Sequence, residues 1–151
     1  MIIDKFDGEY AFLSNFYPSK ILYDECERWY TPTVEHAFQA SKTLSMEEEI
    51  DILASSTPGQ AKRLGRVCYL RKDWEEAKDD VMYKFLQRKF AIPELRDKLL
   101  ATGDATLIEG NTWHDNYWGS CSCNKCKGRG KNKLGELLMK IREELETNEL
   151  S

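Results

Sequence analysis

Glu35, Gln39 and Lys42 recur at helical spacing in the stretch VEHAFQASK. Successive helical residues turn by about 100°, so Gln39 and Lys42 each fall within about 40° of Glu35. A carboxylate, an amide and an amine on one stripe can be offered together to the edge of a pocket while the helix buries its other side. Val34, Ala37, Phe38 and Ser41 occupy a neighbouring arc suited to packing. On spacing alone, the polar stripe reads more readily as a solvated helix face without function.

Two segments elsewhere are dense in groups that recognise a nucleotide: FLSNFYP at Phe12–Pro18 and NTWHDNYWG at Asn111–Gly119. Aromatic rings stack on a base, and Ser14, Asn15, Asn111 and Asn116 can satisfy hydroxyls. Phe12, Phe16 and Tyr17 suit a core as well, and Trp113 and Trp118 divide between the two roles. Lys62 and Arg66, at i and i+4 with Arg63 beside them, make a phosphate clamp or a solvated face. Glu109 orients a neighbouring group or ends a strand in an ion pair. His36, about 100° from Glu35, reads as packing; for His114 both roles stay open.

Cys121-x-Cys123-x-x-Cys126 offers three thiolates to a tetrahedral zinc, but the local pattern lacks a fourth ligand. Cys26, Cys68 and His114 are the remaining sources, none at the spacing of a zinc ribbon or finger. The expectation is therefore no cofactor and no catalytic metal, with Cys121, Cys123 and Cys126 as candidates for a structural zinc only.

Those residues need elements to hold them. Short aromatic and β-branched runs broken by Gly8, Pro18 and Pro32 predict strands and loops over the first 30 or so residues. Thr31 as cap and Pro32 at the first helical position predict a helix running to about Leu44. An acidic helix over Met46–Ala54 follows, then one opened by Thr57-x-x-Gln60 and reaching Arg66. Asp73 with Glu76 repeats the capping pattern before a helix carrying Trp74, Ala77, Val81 and Phe85 on one stripe and Met82, Leu86 and Phe90 beside it. Pro93 opens a further helix that Gly103 ends. Leu107–Glu109 reads as a short strand, and Leu134, Leu137, Leu138, Ile141 and Leu145 mark a terminal amphipathic helix. The fold class expected is α+β: a single compact, mostly helical domain over residues 1–151, with a small sheet from short N-terminal strands and no internal repeat.

Bulk composition limits the function. A chain of 151 residues, 41% hydrophobic and 32% charged, supports one core and buries about 70% of its unfolded surface. Its net charge of −4 draws it to neither nucleic acid nor an anionic membrane. The one dense basic stretch, Lys125–Lys133, meets phosphate or is a solvated loop. Five cysteines, an odd count, argue against a disulfide framework. The opening MIIDKFDGEY lacks the layout of a signal peptide, and no apolar run spans a bilayer, so a cytoplasmic protein without membrane partners is expected. Oligomeric state is not fixed by any of these features.

Six motifs occurring in order over nearly the whole chain, FLSNFYPS, WYTPTVEHAFQASK, TPGQAKRLGR, DWEEAKDDVMYKFLQRKF, LLATGDATLIEGNTWHDNYWG and GKNKLGELLMKIREEL, closely resemble the NADAR family, named for a connection to NAD and ADP-ribose. The resemblance implies a compact α+β fold and cleavage of N-glycosidic bonds, either in early phosphorylated intermediates of riboflavin synthesis or between ADP-ribose and guanine in nucleic acid. Position by position, it implies Glu35, Lys42 and Asp115 as catalytic residues. Ser14, Asn15, Phe16, Trp113 and Trp118 would shape the pocket, and Phe38, Gln39, Lys62, Arg66 and Gly119 complete its expected lining. The partner is then a nucleotide-like small molecule or ADP-ribosylated nucleic acid.

Breaking a ribosyl C–N bond builds positive charge on the sugar carbon, so one carboxylate stabilises it while a second group protonates the base or activates water. Glu35 and Asp115 fit those jobs. Lys42 alternatively attacks an opened sugar aldehyde as a neutral amine, which needs burial to lower its pKa. Two rivals from other classes are a non-hydrolytic binder of NAD-derived nucleotides and a zinc-dependent adaptor. The enzyme requires Glu35 and Lys42 of the early helix to meet Asp115 of the late loop around one sugar.

Overall fold

A computed structural model describes the backbone of residues 1–150 and the side chains of residues 1–148. In chain order the elements are β1 (Ile2–Ile3), a 3-10 helix (Gly8–Leu13), β2 (Ile21–Asp24), β3 (Trp29–Thr31), α1 (Val34–Ala40), α2 (Met46–Leu53), α3 (Pro58–Val67), α4 (Trp74–Lys89), α5 (Pro93–Ala101), β4 (Thr106–Leu107), β5 (Gly110–Asn111), β6 (Ser120–Cys121) and α6 (Lys133–Leu150). The α+β expectation holds, with helix the larger part. Strand pairing is divided among three two-stranded ladders, β1–β4, β2–β3 and β5–β6. Contacts group the chain into two units, Asn15–Lys89 and the pair of segments Met1–Ser14 with Phe90–Ser151.

In the unit Asn15–Lys89, α1 packs on α2, α3 and α4, and every one of its residues is buried. The solvated-face alternative is thereby excluded for Glu35 and Gln39, while Lys42 lies beyond the helix and is half-buried. Close approach is possible because Ala40 and Ala61 meet over Ile52, and because Gly65 carries no side chain: a Cβ there would sit 1.9 Å from Gln39 Oε1. The expected stripe of α4 is also inward, with Trp74, Val81, Met82, Phe85 and Leu86 buried. Such a side chain stabilises the fold by about 1.5–3 kcal/mol relative to exposure.

Three helix boundaries differ in an instructive way. The early helix is capped by Thr33, not Thr31: the Thr33 hydroxyl accepts the His36 N–H at 3.1 Å, whereas Thr31 ends β3, paired with Ile21. That helix stops at Ala40, short of Leu44, and Ser41 and Lys42 continue as a tighter turn in which the Lys42 N–H reaches the Gln39 carbonyl. Asp73 does not cap α4 through its carboxylate, because Arg71 takes both of its oxygens, at 2.6 and 2.8 Å. By contrast the Thr57 hydroxyl accepts the Gln60 N–H, and Gln60 Oε1 accepts the Ser56 N–H, so α3 opens on a reciprocal cap. Ser45 caps α2 in one direction only, its hydroxyl accepting the Glu48 N–H while its own N–H donates to the Thr43 hydroxyl.

In the other unit β1 runs parallel to β4, Ile2 opposite Thr106 and Ile3 opposite Leu107. Helix α6 packs on β4 and α5 with Leu134, Leu138 and Ile141 buried, as its periodicity requires. Arg142 donates to the Thr102 hydroxyl at 2.8 Å, tying α6 to the end of α5. Gly103, at φ 64°, supplies the left-handed residue that ends α5.

Candidate functional site

The Asn15–Lys89 unit brings together Asn15, Phe16, Glu35, Phe38, Gln39, Lys42, Lys62 and Arg66. Glu35 begins α1 and is only 7% exposed, yet it is a carboxylate. Burying such a group is costly unless it is hydrogen-bonded or paired. Gln39, one turn on, donates its amide to Glu35 Oε1 at 2.7 Å. The Glu35 backbone N–H donates to the Asn15 carbonyl at 3.1 Å, so the FLSNFYP segment lies against the start of α1.

Among the described residues, Gln39 Oε1 and Asn15 Oδ1 are buried side-chain acceptors with no hydrogen-bond partner. Unsatisfied buried acceptors are rare in native proteins and call for a ligand, water or ion to donate. Both belong to residues expected to touch substrate, and a hydroxyl or amine on a ligand can donate to them.

Lys42 is half-buried, and its ammonium lies 5.8 Å from the centre of the Phe38 ring. Burial pushes its pKa below the ordinary lysine range; the Glu35 carboxylate opposes this, while Lys62 and Arg66 add to it by charge repulsion. These four groups therefore share one electrostatic field, basic except for Glu35. The Lys62 ammonium stands 6.0 Å from the Phe16 ring centre, and Phe16 itself is exposed, as a stacking surface must be. A carboxylate, a lysine of lowered pKa and two further cations can accommodate a phosphorylated sugar and polarise its glycosidic carbon. A separate hollow of about 380 Å³ in the same unit, lined by Tyr23, Thr43, Arg71, Lys84 and Arg88 among others, includes none of the expected site residues.

Ser14, Trp113, Asp115, Trp118 and Gly119 belong to the other unit. There Asp115 Oδ1 accepts the N–H groups of Tyr117 and Trp118, at 3.2 and 3.0 Å. Asn111 braces the same turn: its Oδ1 accepts the Asp115 N–H at 3.1 Å, and its amide donates to the Asp115 carbonyl at 2.9 Å and to Glu109 Oε2 at 3.2 Å. Glu109 thus accepts from Asn111 within this turn. Backbone bonds from Lys131, Asn132, Lys133 and Leu134 to residues 116–119 stitch the turn to the start of α6. Gly119 and Gly130 permit that approach: a Cβ would lie 2.0 Å from Glu109 Oε2 at the first and 2.2 Å from the Gly119 carbonyl at the second. Trp113 is 59% exposed, and Trp118 meets Tyr117 edge-on at 4.9 Å.

Asn111 and Asn116, taken from sequence as hydroxyl binders, serve the loop itself. Asn116 Oδ1 accepts the Cys121 N–H at 2.9 Å. Asn132 of GKNKLG braces the strand before the loop: its carbonyl oxygen accepts the Glu109 N–H and its amide donates to the Leu107 carbonyl, both at 2.9 Å. The only signal for it was its place in GKNKLG. His36 is 1% exposed, with Nδ1 at 2.7 Å from the Thr33 hydroxyl and Nε2 at 3.0 Å from the Ser55 carbonyl, and burial lowers its pKa. It packs and bridges, as expected.

Residues 3–146 match the NADAR domain. The chain belongs to the NADAR family. N-glycosidase YbiA of Escherichia coli (strain K12) is 44% identical over 142 residues, spanning 91% of this chain and 82% of that protein. An N-glycosidase of Nostoc punctiforme is 38% identical over 142 residues, covering 90% and 86% of the two chains. Riboflavin biosynthesis protein PYRR, chloroplastic, of Zea mays is 37% identical over an alignment of 147 residues that covers 87% of this chain and 23% of the maize protein. The NMR structure of E. coli YbiA superposes with a TM-score of 0.82 at 40% identity, covering 99% of this chain and 88% of that one. The Glu35–Gln39 pair and Lys42 lie within the matched residues.

Proposed function

We propose that this NADAR protein is an N-glycosidase that hydrolyses the ribosyl C–N bond of a small phosphorylated ribosylamine, of the kind that occurs early in riboflavin synthesis. Similarity to named N-glycosidases supports the reaction class, and similarity to a riboflavin biosynthesis protein supports the substrate class. The observation that carries it here is the buried carboxylate of Glu35 held by Gln39 within the field of Lys42, Lys62 and Arg66. Glu35 stabilises the positive charge that develops on the sugar carbon, and the cations receive the phosphate. The C–N bond breaks with its electron pair passing to nitrogen, water supplies the hydroxyl to the sugar carbon, and a proton ends on the released amine. Lys42 gives or relays that proton, or attacks the opened sugar as a free amine. No cofactor enters the reaction.

Among the described residues, no helix is long and apolar enough to cross a membrane; together with a small metabolite as substrate, this supports work in the cytoplasm.

The test is release of free base from a ribosylamino-pyrimidine phosphate and from ADP-ribosylated guanine in DNA. Turnover of the former is expected, with Glu35→Gln slower by about 100-fold or more. Turnover of the DNA adduct alone would replace the substrate, and ligand binding without base release from either would leave a non-hydrolytic binder. Asp115→Asn separates charge from shape, because asparagine keeps an oxygen for the Tyr117 and Trp118 N–H groups. Lost activity with an unchanged fold then assigns a role to the Asp115 charge.

A further inference from the structure

We infer that His114, Cys121, Cys123 and Cys126 form a closed, tetrahedral structural zinc site. Four potential ligand atoms, His114 Nδ1 and the three sulfurs, lie within 4.8 Å of one another. Nδ1 is 3.7 Å from Cys121 Sγ and 3.5 Å from both Cys123 Sγ and Cys126 Sγ. Zinc–sulfur bonds of about 2.3 Å and a zinc–nitrogen bond of about 2.0–2.1 Å at tetrahedral angles put nitrogen and sulfur about 3.6 Å apart. The observed separations straddle that value.

Hydrogen bonding does not account for the same geometry. One imidazole nitrogen has either a single proton or a single lone pair, so it serves one sulfur well and not three at once. A cation at the centre of the four atoms serves all of them. The sequence had left the fourth position open among Cys26, Cys68 and His114, and folding selects His114. It does so at φ 69°, a strained backbone for a side chain other than glycine, as though the ring were held for a purpose that the loop alone does not supply.

The cysteine turn has the backbone that a metal knuckle needs. The Cys126 N–H donates to Cys123 Sγ at 3.4 Å, the Lys127 N–H to the Cys123 carbonyl at 2.8 Å, and the Gly128 N–H to the Cys121 carbonyl at 2.7 Å. Lys127 and Gly128 take the left-handed conformations, φ 55° and 70°, that fold the chain back after the last thiol. Amide donation to sulfur favours the thiolate, which is the ligating form. Three thiolates with a neutral imidazole take up one divalent zinc and release the thiol protons. All four positions are filled by protein, so no water remains for catalysis and the metal clasps the loop. Nothing in this depends on the proposed substrate.

Protein purified under reducing conditions is expected to carry about one zinc per chain by elemental analysis. Cobalt added to the metal-free protein should give the thiolate-to-cobalt charge-transfer band and intense visible transitions of a tetrahedral site. Both signals should vanish in Cys123→Ser and His114→Ala, persist in Cys26→Ser, and return in His114→Cys. Absence of stoichiometric zinc together with absence of the cobalt band in the wild-type protein overturns the site, whether or not the variants fold. A disulfide among the three cysteines under those conditions, or metal lost in Cys26→Ser and kept in Cys123→Ser, overturns it equally.

Discussion

Lys42 responds to each of its charged neighbours in a direction that can be measured one residue at a time. Glu35 holds its pKa up and Lys62 holds it down, so Glu35→Gln should lower the Lys42 titration further and Lys62→Met should raise it. NMR of selectively labelled lysine side chains reads both shifts; movement in the opposite sense would show that the pair is not electrostatically linked. Lys89 offers a second residue-level case. It is fully buried at the end of α4, 5.7 Å from the Tyr17 ring centre, and burial pushes its pKa down to about 7. Between that value and the ordinary lysine value of about 10.4, the unfolded chain binds the proton and the folded chain does not. Stability therefore rises as pH climbs through that window and is lost as pH falls back through it, levelling off below about 7. Lys89→Met should flatten this slope in denaturant titrations taken across the window, and an unchanged slope would place the titration elsewhere.

At the scale of elements, two glycines fix how closely neighbouring pieces pack. Gly65→Ala adds a helix-favouring residue to α3, worth about 1 kcal/mol on propensity alone, but its Cβ would overlap Gln39 Oε1. Displacing Gln39 should free Glu35 and cut kcat/KM by about tenfold or more, with a stability loss of about 1–3 kcal/mol as for other overpacked sites. Gly119→Ala meets both the carboxylate and the carbonyl of Glu109; a loss of at least that size is expected in thermal unfolding, without rescue by a smaller neighbour because one obstacle is backbone. The elements themselves were readable wherever a cap is local. Thr57 with Gln60, Pro93 and Gly103 each act within four residues of the boundary they set. The early helix misled because Thr31 and Thr33 flank Pro32 and both carry the hydroxyl a cap needs. Only the cross-strand partner Ile21, ten residues earlier, decides between them.

For the molecule as a whole, a net charge of −4 bears on what it binds. Turnover of a small phosphorylated ribosylamine should change only modestly between low and physiological salt. A nucleic-acid substrate would impose a steep fall, with a logarithmic slope set by the number of phosphates contacted. Initial rates across a salt series distinguish the two. The polar stripe was legible for Glu35 and Gln39 because a helix converts sequence spacing into direction, while Lys42 follows in the turn beyond Ala40. Burial of the stripe was not legible, since that depends on three other helices covering α1. The meeting of His114 with three thiols was likewise hidden, because it depends on left-handed turns whose dihedral angles a residue list does not specify.

The pairing of Ile2 with Thr106 and Ile3 with Leu107 has a consequence for how the chain matures on the ribosome. Residues 15–89 leave the exit tunnel with all their own contacts available, whereas the first strand must wait for a partner synthesised some hundred positions later. Closing so long a loop is slow, and translation delivers the N-terminal part first. The intervening segment is thus synthesised in full before the strand Ile2–Ile3 has its mate.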